Sequence, residues 1–197
     1  MNALVINSSG RTEQSVSRKL VAELVAELAS KHPDLHTTYR DVATSLPFVN
    51  DLMIGGFYIP DEQRTPEQQQ ALAFSNQLVQ ELKAADVLII GAPIYNFSIP
   101  ASLKTWVDLI ARAGLTFKFT EAGPEGLLTG KKAYLVVTSG GVEVGSPYDL
   151  ATPYLRQVLG FVGITDVHVI SADRLNLLGE QPVGAARDAI RQIHAAA

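Results

Sequence analysis

The run Val87-Leu88-Ile89-Ile90-Gly91-Ala92, followed directly by Pro93-Ile94-Tyr95-Asn96-Phe97-Ser98-Ile99-Pro100, decides the architecture. The first six residues are apolar without alternation and too few for a buried helix, the pattern of a central parallel strand covered on both faces. The residues after them change from aliphatic to aromatic and end on a proline, which suits the first position of a helix.

Outward from this strand, short β-branched runs alternate with longer amphipathic stretches. Four more strands are placed at Ala3 to Asn7, His36 to Asp41, Ala133 to Ser139 and Val167 to Ser171. A first helix carries Val16, Leu20, Val21, Leu24, Val25 and Leu28 on one face and ends at His32-Pro33. A second starts at Pro66 behind the cap Thr65, and a third runs from Pro100 to Gly114. A fourth covers Pro153 to Phe161 and a fifth Pro182 to His194. The segments Val42 to Thr65 and Leu115 to Gly130 read as long irregular connections, better suited to a pocket wall or subunit contact than to a linker. Such βα units predict a doubly wound five-stranded parallel sheet of order 2-1-3-4-5 with helices on both faces, as one domain over residues 1–197. In that topology ligands bind beyond the carboxyl ends of the first and third strands, so the informative residues follow Asn7, Ala92 and Ser139.

Composition narrows the chemistry. With 16 basic and 20 acidic residues, a formal charge of −4 and no basic stripe, the chain offers no nucleic-acid or membrane surface. The chain has no cysteine, which removes disulfides, thiolate nucleophiles and iron-sulfur ligation, so redox work needs a bound organic cofactor. No targeting segment or bilayer-spanning run is read, and a cytoplasmic location is expected.

Five hydroxyls, on Ser8, Ser9, Thr12, Ser15 and Ser17, surround the start of the first helix. They read either as helix caps or as neutral donors that, with free helix N–H groups, dock a phosphate. The loop lacks Gly-x-Gly-x-x-Gly, and Gly126-Leu127-Leu128-Thr129-Gly130-Lys131-Lys132 has the wrong spacing for a P-loop and reads as a turn. A phosphorylatable receiver domain would need acids where Asn7, Ser8 and Pro93 stand. Ile94, Tyr95, Asn96 and Phe97 suit a flat aromatic ligand or, alternatively, fill core space. Gly140 and Gly141 would let main chain approach a ligand edge and adopt backbone angles closed to other residues, as an ordinary loop also could. His32 and His36 are interrupted by Pro33 and are read as surface residues, His168 is placed in or beside the fifth strand, and Trp106 is read as core or interface; no metal site is assigned.

Four blocks then make a specific resemblance. They are Ala92-Pro93-Ile94-Tyr95-Asn96-Phe97, Ala111-Arg112-Ala113-Gly114-Leu115-Thr116-Phe117, Gly123-Pro124-Glu125-Gly126-Leu127 and Leu159-Gly160-Phe161-Val162-Gly163-Ile164. In this order the chain resembles the bacterial FMN-dependent NADH azoreductases, related to flavodoxin-like NAD(P)H quinone reductases. The resemblance implies a flavodoxin-like fold, tightly bound FMN, NADH or NADPH as transient co-substrate, and quinones or azo compounds as acceptors in a ping-pong cycle. It implies that Ser9, Ser15, Val16 and Ser17 hold the phosphate and ribityl end, that Ile94, Tyr95, Asn96 and Phe97 line the ring with the Asn96 amide near N5, and that Ser139, Gly140, Gly141 and Val142 meet the pyrimidine edge. Phe119 and Phe161 would shape the substrate pocket at a homodimer interface. The chemistry belongs to the flavin, and no catalytic side chain is assigned. Ile94 stands where relatives usually have Met, and Gly140 where many carry Arg, so a cationic contact near the ring is expected to be missing. The rival reading is a non-enzymatic flavodoxin-type electron carrier or simple FMN-binding module.

Overall fold

In a computed structural model, residues 1–44 and 46–193 are described. The sheet holds β1 (Asn2–Asn7), β2 (His36–Asp41), β3 (Val87–Pro93), β6 (Lys132–Thr138) and β7 (Asp166–Ala172), all parallel, in the order β2-β1-β3-β6-β7. Counting core strands alone, this is the expected 2-1-3-4-5. β3 is buried along its whole length, as its unbroken apolar run requires.

Each central strand feeds two cores because successive side chains point to opposite faces. Leu4, Ile6, Leu88, Ile90, Leu135 and Val137 face α3 (Pro66–Ala84), α4 (Ala101–Ile110) and α5 (Ala151–Val162). Ala3, Val5, Val87, Ile89, Tyr134 and Val136 face α1 (Val16–Lys31) and α7 (Gln181–Arg191). Each fully buried Leu or Ile contributes about 2 kcal/mol by leaving water. Trp106 is core, 1% exposed.

Local signals set the helix starts. Ser15 caps α1 by accepting the Arg18 N–H, and Thr65 with Gln68 makes a reciprocal capping box on α3. Several boundaries differ from expectation. α4 stops at Ile110, not Gly114, because the Thr116 hydroxyl donates to the Ile110 carbonyl at 2.7 Å and accepts the Arg112 N–H at 2.9 Å. The fifth predicted helix is α7, and His194, at its predicted end, lies outside the described residues.

The two long connections are not irregular. The first contains α2 (Asp51–Phe57), capped by Asn50, and a 3-10 turn at Asp61–Gln63. The second contains an antiparallel hairpin, β4 (Phe117–Thr120) with β5 (Gly123–Gly126). A four-residue helix, α6 (Leu175–Leu178), follows β7. Among the described residues no helix is long and apolar enough to cross a membrane. His36 is exposed at the start of β2, His32 is half-buried, and His168 lies in β7 with its ring 5.4 Å from Tyr134.

Candidate active site

The carboxyl ends of β1, β3, β6 and β7 form one rim with two adjoining cavities. A cavity of about 360 Å³ is lined by Ser9, Ser15 and Val16 from the first turn and by Ile94, Tyr95, Ser139 and Gly140 from the others. A larger one of about 720 Å³ is lined by Ile94, Asn96, Phe97 and Ser139 to Val142. Ile94, Ser139 and Gly140 line both, so the cavities meet along one shared wall.

The first turn is fixed from behind. Arg18 donates to the Ser9 carbonyl at 2.7 Å and makes paired bonds of 2.6 and 2.9 Å to the Asp41 carboxylate at the end of β2. Burial pushes the Asp41 carboxyl up, but the Arg18 bonds, the Ala43 N–H and the arginine's charge together hold it below the usual carboxylate value. Since Ser15 Oγ takes the Arg18 N–H, the Val16 and Ser17 N–H groups have no acceptor within the helix. The Ser17 side chain is not in the cavity; it is 1% exposed and its hydroxyl lies 3.1 Å from Ser15 Oγ. Ser8 is likewise structural, donating to the Gly91 carbonyl at 2.7 Å. Ser9 Oγ accepts the Arg11 N–H and meets the Tyr95 hydroxyl at 3.3 Å, joining the first turn to the second.

The second turn carries the strain. Asn96 and Phe97 have φ of +48° and +74°, closed by Tyr95 and Ser98 through reciprocal backbone bonds of 2.9 and 3.1 Å. This is the two-residue turn that demands positive φ at both central positions. Asn tolerates that conformation, whereas Phe pays about 1–3 kcal/mol for it. Its ring is half exposed into the larger cavity, 6.4 Å from that of Tyr148.

The third turn departs from expectation. Neither Gly140 nor Gly141 has a positive φ, so the unusual backbone lies at Asn96 and Phe97 and not at the paired glycines. A Cβ on Gly140 would lie 2.7 Å from Asn176 Nδ2, the far end of a side chain that could swing aside. A Cβ on Gly141 would meet open space. The expected absence of a cation beside the larger cavity is also corrected: Arg174, on the turn after β7, lines it together with Glu143 and Tyr148. Together with Arg11, Gln14 and Asn176 of the smaller cavity, these lining residues were not foreseen. The turn after β7 lies beside β6 in the sheet, so the strand order could have pointed to it; Gly145-Ser146-Pro147 before Tyr148 is an ordinary turn signal.

Phe119 and Phe161 line neither cavity within one chain. Phe119 is 72% exposed at the hairpin, Phe161 is half-buried on α5, and Phe117 bridges them with ring centroids 5.4 and 4.4 Å away. The hairpin is pressed onto the end of α5, where Leu128 N–H donates to the Val162 carbonyl at 2.8 Å. Gly163, at φ +103°, ends that helix, and a Cβ on Gly126 would fall 2.1 Å from the Gly163 nitrogen. Among the described residues no cluster of three or more His, Asp or Glu side chains suited to a metal was found.

Comparison with known proteins agrees with this geometry. A family model described as flavodoxin-like fold matches residues 1–196. The chain is 54% identical over 180 residues to an FMN-dependent NADH:quinone oxidoreductase of Thiobacillus denitrificans, covering 91% of this chain and 88% of that one. It is 49% identical over 193 residues to FMN-dependent NADH:quinone oxidoreductase 1 of Hahella chejuensis, covering 98% and 93%. The solved structure of an azoreductase from Bacillus anthracis superposes with a TM-score of 0.86 at 29% identity, covering 98% of this chain and 99% of that one. On the sheet order, the family match and these identities along nearly the whole chain, the protein belongs to the flavodoxin-like family of FMN-dependent NADH:quinone oxidoreductases.

Proposed function

We propose that the chain is an FMN-dependent oxidoreductase, one domain over residues 1–197, that takes hydride from NADH and reduces quinones and azo compounds. The observation that carries this reading is the meeting of the two cavities at Ile94, Ser139 and Gly140. The residues fit the cofactor. The 360 Å³ cavity is walled by hydroxyls, a helix N-terminus and Arg11, with no acidic side chain, which suits a phosphate. The 720 Å³ cavity has the apolar and aromatic walls of Ile94, Phe97 and Val142 and the open face of Gly141, which suits a flat ring. Relatives about half identical carry FMN and NADH in their names.

Ser9, Ser15 and the N–H groups of Val16 and Ser17 would hold the phosphate. Ile94, Tyr95, Asn96 and Phe97 would support the ring, and Ser139 to Val142 would border its pyrimidine edge with main-chain donors preorganised for negative charge. When bound, FMN supplies the two-electron chemistry that the side chains lack. The strained Asn96-Phe97 turn would help position the ring, and the larger cavity would receive donor and acceptor in turn. A second copy of the chain would roof that face with Phe119 and Phe161, making a homodimer whose exposed aromatics are covered. With NADH as donor and small aromatic acceptors, the work belongs in the cytoplasm.

The test is direct. The purified protein should show flavin absorbance, and should oxidise NADH with a small quinone, without added protein, along parallel initial-rate lines. Colourless protein that takes up no added FMN would sink the reading. Flavin-loaded protein that reduces no small acceptor, yet stabilises a semiquinone, would make it an electron carrier instead.

A further inference from the structure

Arg174 is held in a conformation that stability alone does not explain. At φ +53° it is the only non-glycine residue besides Asn96 and Phe97 with a left-handed backbone among the described residues, and all three line the 720 Å³ cavity. For arginine that backbone costs about 1–3 kcal/mol, and such strain persists only where the surroundings impose it. Here they do. The Arg174 N–H donates to Ser139 Oγ at 3.1 Å, the next two N–H groups donate to Ser139 O and Gly140 O at 3.1 and 2.9 Å, and Asn176 fills the space above Gly140.

The side chain is aimed as well as the backbone. Arg174 Nε donates to Asp173 Oδ1 at 3.0 Å, and Nη1 meets Glu143 Oε1 at 3.1 Å. The other Asp173 oxygen accepts the Val144 N–H at 2.7 Å, so Asp173 ties the turn after β7 to the loop after β6. The Arg174 and Glu143 side chains keep 36% and 54% of their exposure, and an ion pair that open adds little to stability. Its position is more informative. Both charges stand on the wall of the larger cavity, beside the glycine loop proposed to border the ring's pyrimidine edge.

We propose that Arg174 and Glu143 are an opposed charge pair that sets the reduction potential of the flavin, Arg174 favouring the reduced, more negative ring and Glu143 opposing it. The inference rests on the FMN reading above and deepens it. A cation at the wall stabilises the charge that the ring gains on reduction, whereas a carboxylate destabilises it. Filling the cavity displaces water that would otherwise screen both.

The experiment is a redox titration of the FMN-loaded protein against reference dyes, for wild type, Arg174→Gln, Arg174→Gly and Glu143→Gln. Removing the guanidinium should lower the potential, and removing the carboxylate should raise it. Each change is expected to alter the ratio of affinities for reduced and oxidised flavin about tenfold, or about 30 mV for a two-electron couple. Arg174→Gly separates charge from backbone, because glycine accepts the left-handed turn without strain. It should match Arg174→Gln. Shifts of the same sign for Arg174 and Glu143 variants, or shifts below about twofold in that ratio, would overturn the proposal while leaving FMN binding intact. A wild type that binds no FMN would overturn both.

Discussion

The carbonyl oxygen of Phe97 accepts the Leu150 N–H at 2.9 Å, stitching the strained turn after β3 to the start of α5. One residue away, Asp149 holds that helix start. Its Oδ1 accepts the Ala151 and Thr152 N–H groups at 3.1 and 2.9 Å, and its Oδ2 accepts the Gly145 N–H at 2.9 Å. The turn that faces the larger cavity is therefore held by a buried carboxylate outside it, 3% exposed.

This arrangement makes stability depend on acid. Burial pushes the Asp149 carboxyl up, but the N–H groups of Thr152, Gly145 and Ala151 outweigh it and hold the group below its ordinary value. A group lowered in the folded state stabilises the fold at pH above its unfolded value and loses that contribution as pH falls through the folded one. Asp149→Asn keeps one acceptor oxygen and turns an amide toward the remaining donor. It should cost about 1–3 kcal/mol at neutral pH, and denaturant midpoints followed into acid should show a shallower decline than wild type. An equal decline in both would remove Asp149 from the acid response.

Phe97 tests whether strain is held for the ligand. Phe97→Gly relieves a left-handed backbone at a residue whose ring is half exposed. The protein without cofactor should be no less stable, gaining up to about 1 kcal/mol. FMN affinity should fall about 2–10-fold, the equivalent of one lost aromatic contact. Fluorescence titration and thermal unfolding would separate the two effects. A variant weakened in stability and unchanged in affinity would make the ring merely structural.

Ser15 distinguishes the two uses of a hydroxyl left open by the sequence. It caps α1 and also lines the smaller cavity. Ser15→Ala should cost about 1 kcal/mol of stability as a cap loss. If Ser15 also holds phosphate, FMN affinity should fall as well, while affinity for riboflavin, which lacks the phosphate, should be unaffected. Equal losses for FMN and riboflavin would leave it as a cap alone.

How much of this was legible follows the same physics. β3 could be read because an unbroken apolar run has few alternatives, and α3 because Thr65, Pro66 and Gln68 mark its start. Helix α2 was not, since Asp51-Leu52-Met53-Ile54-Gly55-Gly56-Phe57 is short and holds two glycines, poor helix formers. The hairpin strand Gly123-Pro124-Glu125-Gly126 has no apolar alternation at all. Phe97 lacks the glycine that announces a left-handed turn, and Arg174 follows a strand end that lies one place beyond the expected crevice. Cavity-lining residues carried by local pattern, such as Ile94 and Asn96, were visible; Arg174 and Asn176, placed there by the strand order, were not.

The hairpin gives the strongest structural prediction. A methyl group on Gly126 would fall 2.1 Å from Gly163 N and 2.4 Å from its Cα, both main-chain atoms that no rotamer change can move. Gly126→Ala must therefore lift the hairpin from the end of α5, parting Phe117 from Phe161, now 4.4 Å apart. Overpacking of this kind costs about 1–3 kcal/mol, occasionally more. If Phe119 and Phe161 form the interface, the variant should also sediment as a monomer at concentrations where wild type is a dimer. Phe119→Ala supplies the control, since an exposed ring can be removed with little loss of fold. It should shift the dimer equilibrium toward monomer and keep its unfolding midpoint. A Phe119→Ala protein that stays as dimeric as wild type would place the subunit contact elsewhere.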